Sequence, residues 1–290
     1  MNGYSPTRTS TSRPSPVRPE SAPTLHIDNL TARFGGVTAL NGLTATVQAG
    51  EAIGVVGPNG AGKTTFLNAI SGLLGRAVSG EIELFGRSIV RESPVRIAKR
   101  GVARSFQHPP LLDTATVLEN VVVGSHHAEG FAAARQIFTP WRVRQTERAE
   151  HVRARALLAR AGLSSLQHRE AGSLPYGARK QVDILRAIFH RPALLLLDEP
   201  TSGLDIGEQR KVVDIIQDLR ADPSVSILLV EHHMDVVRQC ASRVLGVQAG
   251  RVIATGTPDE VFESPEYREA VVGRSHQRSG AQVGPLERRD

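Results

Sequence analysis

Eight residues constrain this chain more than any others. Gly57-Pro58-Asn59-Gly60-Ala61-Gly62-Lys63-Thr64 fits the pattern G-x-x-x-x-G-K-[ST] at every fixed position, the pattern of a loop that wraps phosphate oxygens. Glycines let backbone N–H groups converge on the phosphates without Cβ clashes, and the helix that follows adds the positive end of its dipole. Lys63, one of only four lysines in the chain, is expected to reach the β and γ phosphates of ATP, and the Thr64 hydroxyl to ligate Mg2+. Thr65 is expected to join the phosphate contacts. The flanks supply the context that such a loop requires. Glu51 to Val56 reads as a short apolar strand, and Thr64 to Leu74 as a helix bracketed by Gly75.

Further along, Leu194-Leu195-Leu196-Leu197 runs into Asp198-Glu199. An apolar strand that ends in two carboxylates delivers them to the C-terminal edge of a sheet, where ligands sit in open α/β folds. Asp198 is expected to hold the Mg2+ shell, directly or through water, and Glu199 to polarise the attacking water.

Around these motifs, buried strands (Ala193 to Leu197, Val225 to Val230) alternate with helices (Lys180 to His190, Glu208 to Leu219, Met234 to Cys240). That alternation indicates a parallel sheet covered on both faces. Leu25 to Ile27, Thr44 to Val47 and Glu81 to Phe85 read as further strands and Pro94 to Arg100 as a helix. From about Gly124 to Gly162 the strand signals stop, Arg and Ala accumulate, and Ala149, Val152, Ala156 and Ala159 recur at helical spacing. The expected organisation is a disordered tail over 1–23, one domain over 24–272 with a helical insertion at about 112–180, and a flexible tail over 273–290. The first tail is rich in Ser, Thr, Pro and Arg and has no apolar period to offset the entropy of ordering.

Charge and composition exclude several functions. The formal charge is +6, but each tail holds +2, so the domain between them holds only +2. The high pI therefore belongs to the tails and gives no basic face for nucleic acid. No run approaches the 18 or more apolar residues that would cross a bilayer, and the start has no apolar h-region. A cytoplasmic chain is expected. Cys240, the only cysteine, excludes an internal disulfide and, near Val236, Val237 and Val244, reads as a buried apolar filler.

With these residues in place, the chain resembles the ATP-binding cassette ATPases of ABC transporters from roughly Leu25 to Gly273. The resemblance implies an α/β P-loop NTPase fold, RecA-like, with a parallel-sheet core, an N-terminal antiparallel β part and a helical insertion subdomain. It also implies site residues. Phe34, in Arg33-Phe34-Gly35-Gly36, stands where the family stacks an aromatic on adenine. Gln107 matches the glutamine that senses Mg2+ and the attacking water and faces the transport partner. Leu174-Pro175-Tyr176-Gly177 stands at the family signature, Ser202-Gly203-Leu204-Asp205 at the D-loop, and His232 at the switch histidine that contacts the γ-phosphate, with His233 as the alternative.

The signature departs from Leu-Ser-Gly-Gly-Gln at Pro175, Tyr176 and Ala178. Pro175 and Tyr176 resemble the variant of the branched-chain amino-acid importer ATPases. So do Ser105-Phe106-Gln107-His108, Glu231-His232-His233-Met234 and the stretch Gly250 to Pro258. The resemblance implies an ATP hydrolase that powers such an importer, with two cassettes, identical or related, sandwiching ATP between phosphate loop and signature. Membrane-spanning permease subunits would hold it, peripherally, on the inner face of the membrane. Urea or amide import, lipid export, a non-transport ATPase and a regulatory module without turnover are the alternatives.

Overall fold

The computed structural model describes residues 23–123 and 140–271, with side chains outside 140–147. The tails expected at 1–23 and 273–290, apart from Pro23, lie outside the described residues, as do residues 124–139 of the expected insertion. The chain opens with a hairpin. β1 (Leu25–Phe34) and β2 (Val37–Val47) pair antiparallel from Leu25↔Val47 to Phe34↔Val37. A third strand, β4 (Val78–Leu84), and the short β5 (Arg87–Ser88) complete a sheet of order β2-β1-β4-β5.

Six strands form the second sheet. They are β3 (Ala52–Val56), β6 (Val102–Ser105), β7 (Leu194–Asp198), β8 (Ser226–Val230), β9 (Arg243–Gln248) and β10 (Arg251–Gly256), in the order β10-β9-β3-β8-β7-β6. Neighbours are parallel except β10, which runs antiparallel on the edge. The expected parallel core is thus present, with one antiparallel strand added. β3, β7 and β8 are buried at every residue, because both faces of the sheet are covered. Leu194 and Leu196 join a core shared with β1, β2 and β4, whereas Leu195 and Leu197 join a core built with helices.

Helices among the described residues include α1 (Lys63–Ile70), α2 (Pro94–Lys99), α3 (Val117–Val123), α4 (Pro140–Arg160), α5 (Tyr176–Ile188), α6 (Ile206–Arg220), α7 (Met234–Cys240) and α8 (Pro258–Glu263). α1 stops short of the expected Leu74, because Gly72 turns left-handed, φ 71, and its N–H closes back on the Ala69 carbonyl at 3.0 Å. α4 is the helix that this spacing led us to expect, but the recurring residues are not the ones it buries. Ala149, Val152, Ala156 and Ala159 are exposed, Val152 by 67%, and the helix packs through Ala154 and Leu158. Alanine favours helix on either face, so its recurrence marks a helix without marking the buried side.

Cys240 is 1% exposed and burial pushes its thiol up to about 12. Thiolate, the reactive form, is therefore negligible at neutral pH. Ellman's reagent should label less than about a tenth of the native protein within minutes and all of it in denaturant. Rapid labelling of the folded chain would contradict this packing.

Candidate active site

Parallel strands point their C-terminal ends the same way, and the site is assembled where β3, β6, β7 and β8 end. The loop after β3 turns sharply at Gly57, with φ 153, where a Cβ would stand 2.0 Å from the Val247 carbonyl oxygen. Only glycine fits there. Ala61 is buried and its N–H meets the Pro58 carbonyl at 3.1 Å, while its own carbonyl accepts from Gly250 N–H at 2.8 Å. Asn59 and Gly60 stand exposed at the crest, and Gly62 precedes the first residue of α1. Thr65 is partly buried on that helix.

Lys63 is buried and its ammonium donates to the carbonyls of Gly57 and Pro58 at 2.8 and 3.1 Å. Burial pushes its pKa down, against the charges of Glu199 and Asp198. Thr64, one residue on, is exposed and brings its Oγ1 to 3.4 Å from Asp198 Oδ1. Two of the three residues expected around Mg2+, Thr64 and Asp198, are therefore adjacent. The other oxygen of Asp198, Oδ2, is taken by Arg104 Nη2 at 2.8 Å in an ion pair buried on both sides. Arg104 also donates through Nη1 to Asn68 Oδ1 of α1 at 2.7 Å, so one guanidinium ties β6, β7 and α1 together.

Glu199 follows β7 in a left-handed conformation, φ 47, its N–H fixed on the Val230 carbonyl at 2.9 Å. Gln107 Nε2 donates to Glu199 Oε2 at 3.2 Å, which brings together the two residues expected around the attacking water. Phe34 is half-exposed at the end of the β1–β2 hairpin, whose Ala39 carbonyl abuts Gly62. The hairpin thus stands beside the phosphate loop.

The two histidines sit on a buried carboxylate. Glu231 Oε1 accepts from Thr201 N–H and Oγ1 at 2.9 and 2.5 Å, and Oε2 accepts from the N–H groups of His232 and His233 at 2.9 and 3.3 Å. Glu231, His232 and His233 could in principle chelate a metal, yet four hydrogen bonds already engage both oxygens of the acid. That favours a carboxylate holding backbone over one holding an ion. The His233 ring faces Thr201 Oγ1 at 3.2 Å, and His232 is the more exposed of the two.

The signature opens α5. Leu174 is in the core, Pro175 caps the helix, and Tyr176 Oη donates to the Gln107 carbonyl at 2.9 Å. Gly177 packs on Glu208, where a Cβ would meet Oε1 at 2.2 Å. Glu208 itself closes a capping box with Asp205 at the start of α6, its N–H donating to Asp205 Oδ1 at 2.8 Å. Signature and D-loop of one chain are therefore in contact.

Arg104, Thr201 and Glu231 were not expected at the site. An arginine inside a short strand and a threonine and a glutamate beside motifs are invisible until a buried partner is seen.

Comparison with known proteins agrees with this geometry. A family model described as "ABC transporter" matches residues 40–202. The branched-chain amino acid transport ATP-binding protein BraF of Pseudomonas aeruginosa is 33% identical over 255 residues, 88% of this chain and 100% of the relative. LivG of Escherichia coli, of the same description, is 34% identical over 257 residues, 88% of this chain and all of its own. Among solved structures, a nucleotide-free ATP-binding cassette from an ABC transporter superposes with TM-score 0.74 at 28% identity, covering 86% of this chain and 98% of its own.

Arg104→Met leaves the Asp198 carboxylate buried without its counter-charge. The variant should lose about 3–5 kcal/mol of stability in urea denaturation, most of it recovered by adding Asp198→Asn. Additive losses in the double variant would exclude the ion pair as the cause.

Proposed function

The chain belongs to the ABC transporter family of ATP-binding subunits, and from that premise we propose that it powers import of branched-chain amino acids through membrane-spanning partners. ATP binding and hydrolysis coupled to transport follow from the family itself. The solute is the finer step, supported by BraF and LivG, which carry that description along their full length.

One observation carries the hydrolytic reading. Thr64, Gln107 and the adjacent pair Asp198 and Glu199, from three separate parts of the sequence, are linked by contacts of 3.4 and 3.2 Å. The fit to Mg2+ rests on the donor set: a hydroxyl, a carboxylate oxygen facing it, and the Gln107 amide are hard oxygen ligands of the kind that ion takes. Thr64, Asp198 and Gln107 would hold it, and it would supply neutralising charge at the phosphates. Arg104 leaves only Oδ1 of Asp198 facing Thr64.

Glu199 then accepts the proton of the attacking water, and Gln107 orients the carboxylate. Lys63 and the backbone N–H groups between Gly60 and Thr65, apart from that of Ala61, bind and orient the phosphates. Phe34 offers its exposed ring to the adenine, and His232 contacts the γ-phosphate. The chain has one phosphate loop and one signature, so a second cassette supplies Leu174 to Gly177 and Asp205 to this site, and this chain supplies its own in return. No helix among the described residues is long and apolar enough to cross a membrane. Gln107 and the helices α3 and α4 would instead transmit closure to permease subunits, holding the chain peripherally on the inner face.

Reconstitution with its permeases in vesicles should give ATP-dependent uptake of labelled leucine. Uptake of another solute only would refute the substrate. In steady-state assays Glu199→Gln should keep its ATP affinity while turnover falls about 100-fold or more. Lys63→Ala should lose nucleotide binding itself, and unchanged affinity in equilibrium dialysis would remove the lysine from the phosphate cradle.

A further inference from the structure

Helix α5 aligns three polar groups toward the site: Tyr176, exposed at its first turn, and Lys180 and Asp183, both buried where a core helix ordinarily places apolar residues. Tyr176, Lys180 and Asp183 stand at i, i+4 and i+7, which the helical period aligns. Each reaches the main chain of the site. Tyr176 Oη donates to the Gln107 carbonyl at 2.9 Å, Lys180 Nζ donates to the Glu199 carbonyl at 2.5 Å, and Asp183 Oδ2 accepts from Phe106 N–H at 2.9 Å.

Lys180 is the most informative of the three. It is 2% exposed, and a buried ammonium is retained only where it is paired. Burial lowers its pKa, opposed by the surrounding carboxylates of Glu231, Glu199, Asp183 and Asp198. The carbonyl it holds belongs to Glu199, whose φ of 47 is a conformation that a non-glycine residue keeps only when its neighbours enforce it. The Glu199 N–H is already fixed on Val230, and Ser202 N–H meets the same carbonyl at 3.2 Å. Lys180 is the charged donor of that set, and a charge-assisted hydrogen bond is the strong kind.

We propose that Lys180 is a positioning residue for hydrolysis: its ammonium clamps the Glu199 carbonyl, keeps that peptide left-handed and so aims the Glu199 carboxylate at the attacking water. The inference rests on the role of Glu199 given above. A lysine that only filled the core would affect stability and leave the turnover of folded protein unchanged.

Lys180→Met keeps the volume of the stem and removes the donor. In the full-length chain, kcat should fall about 10- to 100-fold, while KM and the affinity for a fluorescent ATP analogue stay within about twofold. Lys180→Arg, which retains a charged donor, should turn over faster than Lys180→Met. Wild-type kcat in the methionine variant overturns the proposal, and so does a change confined to thermal unfolding or a parallel loss of nucleotide affinity. Should Lys180→Met not fold, Lys180→Gln takes its place under the same criteria. Glu199→Gln assayed alongside separates the two claims. If it turns over normally, the role of Glu199 fails; if it is inactive while Lys180→Met is unimpaired, only the positioning role fails.

Discussion

A carboxylate buried at the end of β7 is the constraint on which the site depends. Asp198 is buried and needs compensation, because an unpaired charge in a low-dielectric interior is costly. Arg104 supplies it at 2.8 Å. That single pairing determines three things at once: β6 must lie beside β7, α1 must approach through Asn68, and the second oxygen of Asp198 must turn to Thr64. Since β6 runs directly toward Gln107, the ion pair that satisfies the carboxylate also delivers the glutamine to the site.

A second buried carboxylate does the same work one strand away. Glu231 follows β8 and accepts four hydrogen bonds, from Thr201 and from the backbone of His232 and His233. Thr201 belongs to the turn after Glu199, so this acid locks the segment after β7 to the segment after β8. The two acids between them convert neighbouring strand ends, which a parallel sheet merely places side by side, into one rigid floor. Loops alone would be free to drift apart by more than the ångström that catalysis tolerates.

Much of this was legible in the sequence. The phosphate loop needs fixed residue types at fixed spacing, and strands such as Leu194–Asp198 and Ser226–Val230 are apolar throughout because both faces are covered. What escaped had a polar residue whose partner is distant in sequence. β6 was hidden by Arg104, a charge inside a strand until Asp198 is placed beside it. β9 was hidden by Arg243, whose guanidinium is held by Glu51 at 2.7 Å, and by Gly246, where Tyr267 and Val261 press on the backbone. The buried face of α4 escaped for another reason: its alanines are compatible with either side. Pattern reading finds elements whose environment is uniform and fails where burial is compensated pair by pair.

Helix α5 ties the segment at its first turn to the main chain of Gln107 and Glu199. Tyr176 and Gly177 lie at the first turn of α5, the end a second cassette would meet, and Lys180 lies one turn further in. A helix is stiff over that length, since its backbone hydrogen bonds resist bending. The first turns of α5 and the carbonyls they hold, those of Gln107 and Glu199, therefore form one stiff unit. Gly177 bears on Glu208 and through it on the Asp205 cap of α6, so the D-loop is tied to the same unit. The departures at Pro175 and Tyr176 acquire a physical meaning in this light: a serine hydroxyl is absent, and an aromatic hydroxyl that donates to the Gln107 carbonyl joins this segment to Gln107 of its own chain.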